Sequence, residues 1–509
     1  MGKKTMIIIG AGLAGLSTGC YAQMNDYESK IFEYHSVPGG VAAVWKRGDY
    51  LIDGGIHFLI GHRPGTPIYD VYSEICDIES VELEDMTTYL RFTDETRTKS
   101  IEFTQDIEKL ERDMLQLAPE DETEIRSFIK EINSLVGSPF LTDLGMSTAP
   151  PEIRGRFDSL KEMWQMRGFM KYFMGKYSKS AGEYAERFQN PFLKTVITWL
   201  FSPDGPIWFV IMILATAASG HLGLFKGGCH TFVRSIEERY KSLGGQIQYR
   251  AKVEKVIVED DKAVGIVLFD GTEHRADIVV SAADGRSTIF DLLEGQYIDD
   301  KITKRYDTWK TYDPMIAVSL GVSRTFDDEA SLNAFMQKEP IHLSDREVPL
   351  LFLRIFNHGD TFAPAGKSVI QVILETEWKY WIDLSENREQ YEQEKEKLAQ
   401  DLIDRLDKIY PGLKNQVEKI DVSTPYTTWR YTLNDRGSPM GWLMTKSTLM
   451  EQIPRTLPGL DNFYMAGHWV LPGGGVPSSI YTGRNVLQIL CKRDGKEFKH
   501  LPSPIQTAR

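Results

Sequence analysis

Cysteine is scarce in this chain of 509 residues. Its four cysteines, Cys20, Cys76, Cys229 and Cys491, lie far apart in the sequence, which argues against a disulfide framework, a redox pair and a thiolate metal site. We therefore expect no metal centre and a protein of the reducing cytoplasm. Too few residues precede the first predicted strand for a cleaved signal peptide, which favours the same location.

Positive charge is also in short supply. The chain has 59 lysines and arginines against 72 aspartates and glutamates, which gives a net charge of −13. A surface of this sign repels a phosphate backbone, so we expect no nucleic acid among the partners. The length exceeds that of one ordinary hydrophobic core and predicts two domains.

The N-terminal region carries a dinucleotide-binding pattern. An apolar strand leads into the sequence GAGLAG at residues 10–15, and an acid, Glu33, closes the next apolar strand. Gly10 permits a tight turn, Gly12 lets the main chain approach a pyrophosphate, and Gly15 lets the next helix pack against the sheet. Glu33 is expected to accept hydrogen bonds from ribose hydroxyls, which argues against a 2′-phosphate on that ribose.

The C-terminal region carries a matching half of the same site. The sequence NFYMAGH at 462–468 is followed by GGGVP at 473–477 and by GRN at 483–485. A chain that binds a dinucleotide with both ends is predicted to be an FAD enzyme. A second fingerprint for NAD(P)H is missing from the sequence, so we expect electrons to come from, or go to, a diffusible donor or acceptor or the substrate itself.

Strand-and-turn patterns alternate along the chain with helical periodicity, which predicts a discontinuous α/β protein. We expect a Rossmann-like FAD-binding domain in three parts, at 1–100, 226–300 and 426–509. A helical insert near the substrate or a membrane would occupy 101–225. A mixed α+β substrate domain would occupy 301–425.

Several motifs together resemble one flavoprotein family. They are GAGLAG, the turn Pro38–Gly40, DGGIH at 53–57, KGG at 226–228, VVSAAD at 279–284 and GGGVP. In this order they look like the bacterial phytoene desaturase, carotenoid isomerase and retinol saturase family. The resemblance implies an FAD-binding domain of the glutathione-reductase and amine-oxidase type.

The resemblance also implies which residues contact FAD. The diphosphate contacts would come from the fingerprint, and the ribose contact from Glu33. The backbone of Val253 would contact the adenine, and Gly467, His468 and Val476 would lie along the ribityl chain and the isoalloxazine ring. The full expected set is Gly10, Ala11, Gly12, Ala14, Gly15, Glu33, Gly40, Val41, Gly55, Ile56, Val253, Gly467, His468 and Val476.

One position departs from the family pattern. Many relatives have Arg or Lys directly after the Gly-Gly pair, where this chain has Val41. Lys46 and Arg47 follow further on. The sequence therefore leaves open which side chain neutralises the phosphates beyond the end of the helix.

Two histidines are candidates for proton transfer. His57 lies in the glycine-rich turn that the resemblance places near the flavin, and His468 follows Gly467. Either imidazole can move a proton near neutral pH. The alternative is that both only pack against the cofactor, since flavin hydride transfer needs no dedicated nucleophile.

Two segments raise the question of a membrane. Residues 207–224 are uncharged, and we expect a buried helix that lines an apolar substrate tunnel rather than a membrane span. Residues 154–180 interleave seven Lys or Arg with ten aromatic or Met side chains, a pattern typical of an interfacial helix at the inner face of a membrane. The alternative for this second segment is a helix that packs on the core and leaves its lysines in water.

The resulting functional prediction is an FAD-dependent oxidoreductase that desaturates, saturates or isomerises an apolar polyene, such as a carotenoid, retinoid or other isoprenoid lipid. A flavin-dependent amine oxidase is the enzymatic alternative, because it shares the general architecture. A non-catalytic carrier that holds FAD and lipid is the alternative from another class of protein.

Overall fold

The computed structural model describes residues 2–138, 141, 149–155, 175–344, 346–445, 448, 451 and 453–501. Twenty strands lie within these residues. They are β1 (Lys4–Ile9), β2 (Tyr27–Phe32), β3 (Val44–Arg47), β4 (Tyr50–Asp53), β5 (Leu59–Ile60), β6 (Leu83–Asp85), β7 (Thr88–Thr93), β8 (Ser100–Thr104), β9 (Leu222–Phe225), β10 (Gln246–Gln248), β11 (Val253–Glu259), β12 (Lys262–Leu268), β13 (Glu273–Arg275), β14 (Ile278–Ser281), β15 (Met315–Val322), β16 (Leu332–His342), β17 (Glu347–Ile355), β18 (Ser368–Glu375), β19 (Val417–Ser423) and β20 (Phe463–Met465).

Helices connect and cover these strands. The α-helices within the described residues are Leu13–Met24, Pro67–Ile75, Ile107–Leu117, Glu122–Leu135, Ala181–Ala185, Pro191–Trp199, Ile207–Ala218, His230–Ser242, Asp300–Thr308, Trp378–Ser385, Arg388–Ile409, Pro425–Thr432 and Gly475–Arg493.

A five-stranded parallel sheet carries the two ends of the chain side by side. Its strand order is β10-β2-β1-β14-β20, so the first strand of the chain is separated from the last by β14 alone. Met6 and Ile8 point into one hydrophobic cluster, whereas Ile7 and Ile9 point into another. The first cluster includes residues of the helices Leu13–Met24, His230–Ser242 and Gly475–Arg493, and the second includes β11 and β12. Burial on both faces explains why β1 is a continuous apolar run.

A seven-stranded sheet forms the second large layer. Its order is β19-β15-β18-β17-β16-β7-β8, and one of its faces packs against the charged helix Arg388–Ile409. β7 joins this sheet by pairing in parallel with β16. β7 and β8 therefore belong to this sheet and not to the five-stranded parallel sheet. The pairing joins strands about 240 residues apart, so no local pattern could have indicated it.

The apolar stretch at 207–224 is only partly helical. The helix Ile207–Ala218 is largely buried, as predicted, and Gly220, with φ +70°, ends it before β9 begins at Leu222. Among the described residues, no helix is long and apolar enough to cross a bilayer. Of the basic segment 154–180, residues 156–174 lie outside the described residues.

Candidate functional site

A large cavity is lined by residues of both main sheets. Its volume is about 1850 Å³, well above the range of ordinary single-ligand pockets, so it has room for a cofactor and a substrate together. The cavity opens beside the carboxyl ends of β1, β2 and β14, where ligands bind in open α/β sheets. All of the predicted site residues line it except Ala11 and Gly15.

The first turn has the backbone geometry of a phosphate cradle. Gly10 has φ +95°, and its nitrogen donates to the carbonyl of Phe32 at 2.8 Å. A Cβ on Gly12 would meet no atom within 4 Å, so this position is open to the cavity. A Cβ on Gly15 would lie 1.9 Å from the Gly10 oxygen. Gly12 thus leaves space for a ligand, whereas Gly15 allows the helix to contact the turn.

Glu33 connects the end of β2 to this turn. Its carboxylate accepts hydrogen bonds from the nitrogens of Ala11 and His35, at 2.6 and 2.7 Å. Burial raises the pKa of Glu33, and these two bonds oppose the rise. Each carboxylate oxygen can accept a further hydrogen bond, which is what a ribose hydroxyl would need.

Two helix N-termini border the cavity without a side-chain cap. The helix Leu13–Met24 begins after Gly12, and the helix Gly475–Arg493 begins after Gly474. Neither has an acidic residue in its first turn. Main-chain donors and positive dipole ends of this kind favour phosphate groups and other negatively charged ligand atoms.

The turn at 53–57 is held from both sides. The Asp53 carboxylate accepts bonds from the nitrogens of Gly55 and Cys229 at 2.9 and 2.7 Å, and from the Cys229 thiol. From the opposite sheet, Arg354 donates to the carbonyls of Asp53 and Ile56 at 2.9 and 3.2 Å. This network fixes the main chain of Gly55 and Ile56 against the cavity.

The two predicted histidines are held in their neutral form. Burial, aided by the positive charge of Arg354, lowers the pKa of His57 to about 3. Burial lowers the pKa of His468 to about 4. The His468 Nε2 lies 2.9 Å from the Ser479 hydroxyl, while its Nδ1 is buried and has no hydrogen-bond partner among the described residues. Both rings are therefore poor proton donors at neutral pH.

The seven-stranded sheet presents an ordered face to the cavity. One row across its strands is polar, with Asp421, Ser319, Gln371 and Arg354 in register. The next row is mainly apolar and consists of Ser423, Ala317, Ile373 and Phe352. Opposite this face, Phe209 and Ile213 of the buried helix also line the cavity.

Two residues that the sequence did not single out add chemistry to this face. Glu375 is a half-buried carboxyl in the cavity wall, and its pKa is raised by burial and by the nearby charge of Asp313. Tyr312 places its hydroxyl 3.4 Å from the carbonyl of Gly473, and burial raises its pKa to about 12. Neither lies in a recognisable motif: Glu375 faces the cavity through the register of β18, and Tyr312 lies just before β15 begins.

Val41 stands where many relatives have a basic residue, but other basic side chains line the cavity wall. Arg47 is committed to Asp421 at 2.6 Å and so is not free to face a phosphate. Lys46 and Arg234 both line the cavity. Burial lowers the pKa of His230, and the charges of Arg234 and Lys46 lower it further.

Comparison with known proteins gives consistent matches over nearly the whole chain. Residues 13–488 match the family described as flavin containing amine oxidoreductase. Prolycopene isomerase 1, a chloroplast protein of an Oncidium hybrid cultivar, is 23% identical over 493 residues, which cover 94% of this chain and 82% of that protein. The lycopene-forming phytoene desaturase of Pseudescherichia vulneris is 22% identical over 517 residues, which cover 96% of this chain and 99% of the desaturase.

Solved structures share the fold. Wild-type putrescine oxidase bound to putrescine superposes with a TM-score of 0.61 at 12% identity, over 96% of this chain and 99% of that one. An oxidoreductase from Methanosarcina mazei has a TM-score of 0.60 at 16% identity, over 95% of this chain and 100% of that one.

Proposed function

This chain belongs to the flavin-containing amine oxidoreductase family and is an FAD-dependent oxidoreductase, and from that premise we propose that it desaturates, saturates or isomerises an apolar polyene. The similarity to a prolycopene isomerase and a phytoene desaturase supports a substrate of this class. The observation that carries the proposal is the apolar wall that faces the nucleotide cradle across one continuous cavity.

The shape of this wall suits a long hydrocarbon. Ala317, Ile373 and Phe352 form one side, Phe209 and Ile213 form another, and none of these side chains can donate or accept a hydrogen bond. Removing a polyene from water into such a cavity is favourable by roughly 25 cal/mol per Å² of apolar area. A chain of conjugated carbons would gain more from this lining than a polar amine would.

We propose that the cofactor lies with its diphosphate over Gly12 and Ala14 and its ribose at Glu33. Its adenine would contact the backbone of Val253. Its ring would lie by Gly467 and Val476. All six of these residues line the cavity, and the open space at Gly12 supports the placement.

The bound flavin would supply the transfer of hydride equivalents. The protein would hold the reacting carbon between the ring and the apolar row of the sheet, and exclude water from it. Where a proton must be given or removed, Glu375 is better suited than His57 or His468, because its raised pKa keeps it closer to titration at neutral pH. Electrons would be exchanged with a diffusible donor or acceptor.

An anaerobic single-turnover experiment separates the three reactions. The FAD-loaded protein is mixed with a polyene in detergent, once with oxidised and once with reduced flavin, and the flavin and polyene spectra are followed together. Stoichiometric flavin reduction indicates desaturation, and stoichiometric flavin oxidation indicates saturation. A change of polyene geometry over many turnovers, with the flavin still reduced, indicates isomerisation.

The same experiment tests the alternatives. Rapid flavin reduction by a polyamine but by no polyene would overturn the proposal in favour of an amine oxidase. A flavin that no polyene or amine reduces or reoxidises, and a polyene that stays unchanged, would indicate a carrier.

We also propose that residues 154–180 contact an anionic membrane surface. The support is their content of basic, aromatic and Met side chains. The described end of the segment adjoins the cavity wall, because the Ile207 nitrogen donates to the carbonyl of Lys179 at 3.0 Å. A lipid substrate would then reach the cavity without crossing water.

A further inference from the structure

Arg354 is a buried cation with no assigned role in the proposed reaction. It is 4% exposed and lines the cavity from β17. Its guanidinium donates to two neutral carbonyls, those of Asp53 and Ile56, and among the described residues no carboxylate forms an ion pair with it. Both oxygens of the nearest acid, Asp53, are already bonded to Gly55 and Cys229.

Such a charge is costly to bury. A cation taken out of water is retained in a fold only where something compensates it. Two carbonyl dipoles do so here, together with the charge of Asp53, which opposes the lowering of the Arg354 pKa by burial. The neighbour of Arg354 across the strand register is Gln371, which is 1% exposed and donates to the Ser319 hydroxyl. Within the polar row the negative charge of Asp421 is paired with Arg47, so Arg354 is the one cation of the row.

The Arg354 guanidinium lies against the turn at 53–57, and this position indicates a role for its charge. Arg354 bonds to the carbonyls on either side of Gly54 and Gly55, and the main chain of Gly55 and Ile56 borders the proposed flavin position. We infer that Arg354 stabilises the negative charge that the flavin ring carries when it is reduced. A cation beside the ring would favour electron uptake by the flavin and so tune its reactivity.

This inference rests on the proposed flavin placement but not on the substrate being a polyene. The inferred role also differs from a purely structural one. If Arg354 only held the turn at 53–57 in place, its two hydrogen bonds to the turn would be needed. If Arg354 stabilises charge, a cation at this position is needed whatever hydrogen bonds it makes.

Sulfite reports this charge directly. Its sulfur lone pair forms a bond to N5 of oxidised flavin, and the displaced electron pair moves onto the pyrimidine side of the ring, with no proton or other oxidant required. The adduct thus carries the same negative charge as the reduced ring. Its dissociation constant is measured by titrating the FAD-loaded protein with sulfite and following the loss of flavin colour.

A set of variants distinguishes the charge of Arg354 from its hydrogen bonds to the turn. Arg354→Gln removes the charge, and Gln371→Glu neutralises it while keeping Arg354 in place. We expect each to weaken sulfite binding by about tenfold or more. Arg354→Lys keeps the charge and should stay within roughly threefold of the wild type. The control is Arg455→Gln, which alters another buried arginine, bonded to Asn485 and outside the cavity lining, and should leave sulfite binding unchanged.

Flavin content is measured first in every sample. A wild-type protein that retains no FAD would overturn the cofactor placement rather than the role of Arg354. If Arg354→Gln does not fold or does not hold FAD, Gln371→Glu decides. Wild-type sulfite binding in an FAD-loaded Arg354→Gln or Gln371→Glu variant would overturn the inference, as would a wild-type holoprotein that binds no sulfite.

Discussion

Gly15 lies so close to Gly10 that a Cβ atom on Gly15 would meet the Gly10 oxygen at 1.9 Å. The contact is between helix and turn backbones, which cannot swing aside as a flexible side chain would. Gly12, two residues from Gly10, has no atom within 4 Å of its would-be Cβ. The same short motif therefore contains one glycine required by the fold and one that leaves space open to the cavity.

The two glycines should consequently respond differently to substitution. Gly15→Ala should lower the free energy of unfolding of the apoprotein by more than about 3 kcal/mol, since the backbone must shift. Gly12→Val should leave that stability nearly unchanged but weaken FAD binding by roughly a hundredfold or more, because the side chain occupies the proposed diphosphate space. Urea unfolding and flavin titration measure the two quantities. Full FAD affinity in Gly12→Val would contradict the placement.

His468 should make the apoprotein sensitive to acid. Its pKa is about 4 in the folded state, against about 6.5 in an unfolded chain, so the unfolded state binds the proton first as the pH falls. The stability is therefore intact above pH 6.5 and declines below it, by about 2 kcal/mol between pH 7 and pH 5 from this residue.

His468→Asn should remove that part of the decline. Urea unfolding of the apoprotein at pH 8, 7, 6 and 5 measures it, and at pH 8 the imidazole is neutral in both states, so that value is the baseline for each protein. An equal decline in wild type and variant would show that the buried ring takes up a proton without cost.

Much of the nucleotide-binding half could be predicted from the sequence, because its signals are local. The predicted strand before GAGLAG is β1 (Lys4–Ile9), and the predicted strand that Glu33 closes is β2 (Tyr27–Phe32). Alternation, glycine turns and an acid at a fixed spacing all act within about thirty residues. The family and the FAD cofactor followed from these signals and were confirmed by the comparisons.

The substrate side could not be predicted in the same way. Arg354 contacts a turn about 300 residues earlier in the chain, and Glu375 faces the cavity only because β18 pairs in one register with β15. A shift of that register by one residue would turn Glu375 away from the cavity. Such residues depend on long-range pairing, which leaves no pattern in a single sequence.

The apolar row of the sheet should control access of the substrate. Ala317→Trp would fill the space between Ile373 and Ser423, so we expect polyene turnover to fall at least about tenfold while FAD binding is retained. Phe352→Ala, in the same row, removes bulk and should tolerate a more bent or bulkier polyene. Turnover of a straight and a bent polyene by each FAD-loaded variant measures this. Unchanged turnover in Ala317→Trp would place the substrate elsewhere.

The basic segment at 154–180 should bind anionic lipid through its charge. Each lysine near an anionic surface contributes about 1 kcal/mol, so reversing two of them, Lys161→Glu and Lys171→Glu, should weaken binding to phosphatidylserine vesicles by at least roughly a hundredfold. The matched control reverses Lys301 and Lys304, two exposed lysines on the helix Asp300–Thr308, and changes the net charge equally.

Vesicle sedimentation at low and high salt measures the effect, since salt screens a contact of this kind. If the control weakens binding as much as the test variant, the attraction depends on overall charge and not on this segment. Binding that neither variant nor salt alters would favour a helix packed on the protein core, with its lysines in water.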